Sequence, residues 1–211
     1  NDRIYKTYQE MAEKESTRAD GIDVVSIVTP NHLHVPIAKI FAENGIHIIC
    51  DKPIGMSSKE AIDLKKVIES KKLIFALTHN YTGYPMVRHA RSLVQKGDLG
   101  SLRVIQAEYP QDWLTTKAED SGLKQAEWRT DPNRSGAGGC IGDIGTHAYN
   151  LIRFITGLEV DEISADIHTF VEGRKVDDNA QIMLRFKGGA KGSIWSSQVA
   201  VGNENNLKIR I

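Results

Sequence analysis

Hydrophobic and polar positions along this chain follow two successive rhythms. In the first, short apolar runs that read as buried strands alternate with amphipathic stretches at helical spacing. Residues 23–28 form a β-branched run that stops at Thr29-Pro30, and 35–42 carry one apolar helical face that closes at Asn44-Gly45. Pro36 fits a helix there only in the first turn. A second run, 46–50, precedes a helix from about Ser58, with Ser57 or Ser58 able to cap and Glu60 in the first turn. A third, 73–77, leads through Thr78-His79-Asn80 to a helix over roughly 84–96 that Gly97 stops. Upstream, Tyr8, Met11 and Ala12 predict a helix within 4–18, with a short strand ahead of it at Arg3-Ile4-Tyr5. Such alternation predicts parallel strands with covering helices.

After Gly100 the rhythm changes. Residues 101–109 read as extended, 110–137 as irregular, and the segment bearing Asp143 and His147 as a helix. Three long strands follow near 160–171, 177–186 and 190–200, with Lys187-Gly188-Gly189 as a hairpin turn, and another begins within 207–211. Successive hairpins imply a mainly antiparallel sheet. The predicted class is therefore α/β plus α+β: a partial parallel sheet over 1–99, then an open-faced sheet domain over 100–211. Ile182, Leu184 and Phe186 alternate onto one face, and a helix covers at most one side. The open face is expected to pack on a second copy, giving a homodimer or homotetramer.

Composition narrows the partners. The 27 basic residues cancel the 27 acidic ones without blocks of like charge, so neither nucleic acid nor an anionic membrane is an expected partner. No apolar run reaches the roughly 18 residues of a spanning helix, and the first residues, Asn1-Asp2-Arg3, do not open a signal peptide. Cys50 and Cys140 lie far apart and in no metal-spaced cluster, which suits free thiols in the cytoplasm.

Two segments carry chemistry. After a glycine-rich entry, Asp143 and His147 stand four positions apart, so a regular helix would project a carboxylate and an imidazole from one face. Lys52 sits between Asp51 and Pro53 where the run 46–50 ends. An aspartate and histidine at this spacing are often a surface pair, and a lysine at a strand end commonly reaches into solvent. The flanking glycines and the turn-fixing Pro53 set these residues apart. His32 and His34 precede a helix rather than sharing a metal-binding face, which argues against a zinc hydrolase, and no metal site is expected.

Taken in order, Thr29-Pro30-Asn31-His32-Leu33-His34, Asp51-Lys52-Pro53, Asn80, Trp128-Arg129 and the Gly-Gly-x-x-x-Asp-x-x-x-His pattern from Gly138 to His147 resemble the glucose-fructose oxidoreductase and inositol dehydrogenase (Gfo/Idh/MocA) family. Asp51 departs from it, since the family usually has glutamate there. The G-x-G-x-x-G loop that opens a Rossmann domain is not found; Gly136 to Gly142 looks like it but follows polar irregular sequence rather than a strand. The resemblance thus implies that the chain begins within or just after the second strand of a parent Rossmann domain and lacks its phosphate loop.

What the resemblance implies is NAD- or NADP-dependent hydride transfer at a CH–OH carbon of a sugar or cyclitol. His147 would be the general base, Lys52 the cation beside the developing alkoxide and a proton relay, and Asp143 the group orienting the substrate hydroxyl. Cofactor contacts carry over to Thr29, Pro30, Asn31, His34, Asp51, Lys52, Asn80, Trp128 and Arg129, with the guanidinium near phosphate and the Lys52-Pro53 bond cis. Thr29-Pro30-Asn31 also reads as a turn and cap, and Trp128 equally as a core anchor. Tyr109 to Trp113, His79 and Tyr81 are candidate sugar contacts. An NAD-dependent glycosidase of the same family would share these motifs, and a non-catalytic dinucleotide sensor resembling the galactose-regulon repressor would use the same fold.

Overall fold

The computed structural model describes residues 3–211, which form two compact units, one ending at Thr78 and the other starting at His79. In the first, three parallel strands lie in the order β1 (Val24–Ile27), β2 (His47–Asp51), β3 (Phe75–Thr78), with Val24 opposite His47 and Ile48 opposite Phe75. Helices α1 (Tyr8–Thr17), α2 (His34–Glu43) and α3 (Ser58–Ser70) accompany them. Thr7 and Ser57 cap α1 and α3 by accepting the N–H of Glu10 and of Glu60, so one of the orphan donors at each helix start is answered by local sequence. The apolar face of α2, Val35, Ile37, Ala38, Phe41 and Ala42, is buried with Val25, Ile27, Ile48 and Cys50. Burial of a side chain such as Phe41 contributes about 1.5–3 kcal/mol, enough to decide which face of α2 turns inward.

Arg3-Ile4-Tyr5, expected to be a strand, is not one. Glu15 on α1 is buried, and its carboxylate must find donors. Arg3 Nε supplies one at 3.0 Å, Ile22 N–H another at 3.2 Å, and a second Arg3 nitrogen and the Tyr5 hydroxyl complete the set. A buried acid, rather than strand pairing, therefore dictates the path of this segment.

The second unit is built on a five-stranded sheet in the order β5 (Val160–His168), β6 (Asn179–Phe186), β7 (Lys191–Ser197), β4 (Val104–Pro110), β8 (Lys208–Arg210). Every pairing is antiparallel except β4 with β7. Ile182, Leu184 and Phe186 point with Ile105, Ala107 and Ile194 to the face covered by Ala148 and Ile152 of helix α7 (Thr146–Thr156). The same helix meets α4 (Pro85–Lys96), where the Arg91 guanidinium lies 4.4 Å over the Phe154 ring. On the other face an open groove of about 750 Å³ runs past Val104, Gln106, Met183, Arg185 and Ser193.

The stretch expected to be irregular holds two short helices, α5 (Lys124–Arg129) and α6 (Pro132–Ser135). Before them, the loop after β4 is pinned by Arg174, whose buried guanidinium donates to the carbonyls of Leu114 (2.9 Å) and Thr116 (3.0 Å) and to the carboxylates of Glu119 and Asp178. Breaking a buried pair of this kind costs far more than it gains when made, so the loop is tied down. Among the described residues no helix is long and apolar enough to cross a membrane.

Arg3 first and Tyr5 next hold the Glu15 carboxyl down at about 2, against an ordinary 4.5. A depressed folded-state pKa stabilises above the unfolded value and is lost as pH falls through the folded one. The Tm advantage of the wild-type protein over Glu15→Gln should therefore be full above about pH 4.5 and close toward about pH 2. A pH series of thermal melts checks it; an advantage constant over that range would contradict the assignment.

Candidate functional site

In the first unit the candidate residues gather at the C-terminal ends of the parallel strands, the edge at which open α/β sheets bind ligands. β1 runs out into Thr29-Pro30-Asn31, and Asn31 and His34 are both buried. Each nitrogen of the His34 ring faces a main-chain carbonyl, Nδ1 that of Pro53 at 2.6 Å and Nε2 that of Thr29 at 2.8 Å. His34 thus ties the loop after β1 to the turn after β2, and its ring nitrogens are both occupied by the protein. The Lys52-Pro53 bond of that turn is cis, as expected. Asp51 is exposed and accepts a hydrogen bond from the Thr78 hydroxyl on β3, while Lys52 is half-buried. Gly55 is needed just beyond, because a Cβ there would lie 2.7 Å from Val35 Cγ2. Thr29 Oγ1 and His32 Nδ1 are buried without a hydrogen-bond partner, an unusual state for polar atoms.

In the second unit the helix start departs from the regular helix expected. Residues Ile141–Gly145 form a π-helical turn, and α7 begins only at Thr146. Asp143 therefore belongs to the π turn and His147 to the α-helix, so the four-residue spacing does not describe one regular face. Single π turns inside helices often mark functional sites. Asp177 holds this start: its carboxylate accepts the N–H of Gly139 at 2.7 Å and of Ile141 at 2.9 Å, and its carbonyl accepts that of Cys140 at 2.8 Å. The Cys140 thiol donates to the same carboxylate at 3.0 Å. Burial first, then the negative charge of Asp177, pushes that thiol well above its ordinary range. Cys50 is likewise buried, which drives its thiol up to about 12, so neither is a ready nucleophile.

Asp143 Oδ2 accepts from Arg129 Nε at 3.2 Å and from Gln198 Nε2 at 2.9 Å. The Arg129 guanidinium lies 4.2 Å from the Trp128 ring, and the Trp128 indole donates to Gln125. Trp128 is half-buried rather than a core anchor. His147 is buried, only 7% exposed, and lies edge-on to Tyr81 with ring centres 4.8 Å apart; His79 and Tyr109 are each 6.1 Å away. Beside it, the Tyr81 and Tyr109 hydroxyls are 2.6 Å apart. Burial, then the bond to Tyr81, raises Tyr109 above the ordinary phenol range and keeps it protonated. Asn80 is exposed on the turn that carries Tyr81. Among the described residues no group of three or more His, Cys, Asp or Glu could hold a metal ion.

Sequence reasoning missed Asp177, Gln198 and Asn205. The first two hold the helix start and Asp143, and the third accepts from Tyr109 at 2.7 Å. The only signal for Asp177 was a pair of carboxylates, Asp177-Asp178, ahead of an alternating strand.

Two family profiles match the chain: "Oxidoreductase family, NAD-binding Rossmann fold" over residues 2–79 and "GFO/IDH/MocA C-terminal domain" over 87–211. A solved oxidoreductase from Sinorhizobium meliloti is 47% identical with a TM-score of 0.85, covering 99% of this chain and 54% of that one. An inositol dehydrogenase homolog from Azotobacter vinelandii, solved with NAD+, is 30% identical with a TM-score of 0.96 at 99% and 54% coverage. Levoglucosan dehydrogenase from Pseudarthrobacter phenanthrenivorans is 32% identical over 213 residues, which is 90% of this chain and 53% of the relative. The chain spans about half the length of the curated relatives it matches.

The close seat of the π turn makes a steric prediction. A Cβ on Gly139 would lie 2.0 Å from the Asp177 carbonyl oxygen, whereas one on Gly142 meets nothing within 4 Å. Gly139→Ala should lower stability by about 1–3 kcal/mol or more, as overpacking does, and Gly142→Ala should be neutral to slightly stabilising. Denaturant midpoints of the two variants decide this; equal midpoints would refute the described seat.

Proposed function

This chain belongs to the GFO/IDH/MocA family of oxidoreductases, and from that premise we propose that its protein is an NAD(P)-dependent dehydrogenase acting on a CH–OH carbon of a sugar or cyclitol. The observation that carries the reading is the presence, in a family of NAD-binding oxidoreductases, of Lys52 at a parallel-strand end together with Asp143 and His147 on a π-interrupted helix. A protein that only sensed dinucleotide would have no chemical need for that set. The inositol dehydrogenase homolog was solved with NAD+, and levoglucosan dehydrogenase is named for a sugar substrate, which supports the same substrate class here.

The residues at the strand ends fit a dinucleotide. The buried, unpartnered Thr29 Oγ1 and His32 Nδ1 call for a polar ligand, and Thr29, Pro30, Asn31 and Asp51 surround the edge where such a ligand lies. His34 acts by holding Thr29 and Pro53 in place. Asn80, Trp128 and Arg129 would add contacts, with Arg129 able to meet phosphate while keeping Asp143 in position. A dinucleotide held by these residues would supply the hydride acceptor or donor for the carbinol carbon.

The protein's own work is done at the reacting hydroxyl. His147 takes its proton, since an imidazole changes protonation near working pH. The Lys52 ammonium stabilises negative charge on the same oxygen as the carbonyl forms, and relays the proton onward. Asp143 accepts a hydrogen bond from the hydroxyl and fixes its orientation, its own charge steadied by Arg129 and Gln198. Two buried free thiols suit a cytoplasmic setting.

In the full-length protein, Lys52→Ala and His147→Ala should each lower kcat by about 10²–10⁴, the usual weight of such groups, while the dissociation constant for NAD(H) or NADP(H) changes by less than a few-fold. Absorbance at 340 nm with a sugar and cyclitol panel gives the first, fluorescence titration the second. Near-normal rates in either variant would remove that residue's role, and absence of net NAD(P)H formation would exclude a dehydrogenase in favour of a glycosidase or sensor. We propose further that copies pair through the sheet face opposite α7, where Val104, Met183 and Trp195 stand among polar neighbours. Sedimentation should then give a dimer or tetramer, and a monomer at micromolar concentration would end that proposal.

A further inference from the structure

Beside His147 runs a chain of side chains whose hydrogen-bond direction is set from one end. The Trp113 indole can only donate, and it donates to Gln111 Oε1 at 3.0 Å. Gln111 must therefore turn its NH₂ the other way, and Nε2 donates to Asn205 Oδ1 at 2.8 Å. With its oxygen committed as acceptor, Asn205 also takes the hydrogen bond of the Tyr109 hydroxyl at 2.7 Å. Tyr109, whose proton is now used, is left to accept from Tyr81, 2.6 Å away.

Two unused functions emerge at the ends of this relay. The Tyr81 hydroxyl has committed its proton to the bond with Tyr109 and retains lone pairs, so toward a ligand it is an acceptor. The carboxamide NH₂ of Asn205, on an exposed loop position, donates to no described protein group and is a donor. Tyr81 lies edge-on to His147 at 4.8 Å, so the acceptor end of the relay borders the residue assigned to proton transfer, and Asn205 joins it through the Tyr109 hydroxyl. A ring polyol offers both functions on every hydroxyl, and a site that commits its own polarity discriminates sharply between a hydroxyl and its absence.

Resting on the dehydrogenase reading above, we propose that Tyr81 and Asn205 are specificity-determining residues, which read two hydroxyls of the polyol other than the reacting one. Tyr81 accepts from the first hydroxyl and Asn205 donates to the second. Trp113, which touches neither, sets the direction for both.

The test is a binding cycle on the full-length protein with NADH present, which cannot take hydride from an alcohol. The probe is myo-inositol, which carries a hydroxyl on every ring carbon, with its monodeoxy analogues, titrated calorimetrically. Tyr81→Phe and Asn205→Ala should each weaken myo-inositol binding by tenfold or more. For each variant that penalty should vanish against one deoxy analogue, a different one for each residue. Trp113→Phe should blunt both discriminations. Penalties that persist unchanged across every analogue, or no measurable binding of myo-inositol, would overturn the proposal. Hydroxyl-specific binding without NAD(P)+ turnover would fell only the dehydrogenase reading, whereas turnover with additive penalties would fell only this one.

Discussion

One residue, Asp177, seats the helix start of the second unit. The start of the helix bearing Asp143 and His147 presents three consecutive N–H groups, at Gly139, Cys140 and Ile141, and Asp177 receives all three through its side chain and carbonyl. A helix start left without acceptors is costly, and local sequence provides no capping side chain here. The acceptor comes instead from 36 to 38 residues downstream, at the entry to β6. Because the helix is held from the sheet, its first turn can adopt the wider π geometry, and Asp143 comes to rest against Arg129 and Gln198.

The first unit solves a related problem with an imidazole. Two loops that leave adjacent parallel strands would each be free to move, yet both set a main-chain carbonyl against a ring nitrogen of one buried residue, His34. Neither loop can shift without stranding a buried polar group, which costs about 1–3 kcal/mol. The polar atoms left over at Thr29 and His32 then mark where the protein's own hydrogen bonding stops. This is the physical reason to look for a ligand at that edge rather than elsewhere on the sheet.

Much of the architecture could be read from periodicity. The strand and helix alternation up to Lys96, the stop at Gly97 and the hairpin at Gly188-Gly189 are local signals, and they appear as such in the fold. So was the presence of a lysine, an aspartate and a histidine worth noting. What periodicity could not carry was anything that depends on a distant partner. The π turn exists because of Asp177, the coil at Arg3 to Tyr5 because of Glu15, and the helices within 124–135 are too short to show a repeat. His34 looked like a residue available to a cofactor, but its two carbonyl partners lie at positions 29 and 53, and sequence spacing does not reveal them.

The segment after β4 that carries Gln111 and Trp113 has little regular structure, yet it is not slack. Arg174 engages it through two carbonyls and Glu119, and the strand end at Ser197 and Gln198 accepts the N–H of Gln111 and of Leu114. Only a planar guanidinium can serve so many acceptors at once; a lysine, with three donors on one point, could not. The segment that carries Gln111 and Trp113 is in this way ordered as the chain folds, so any ligand that it touched would meet a surface whose disorder had already been removed.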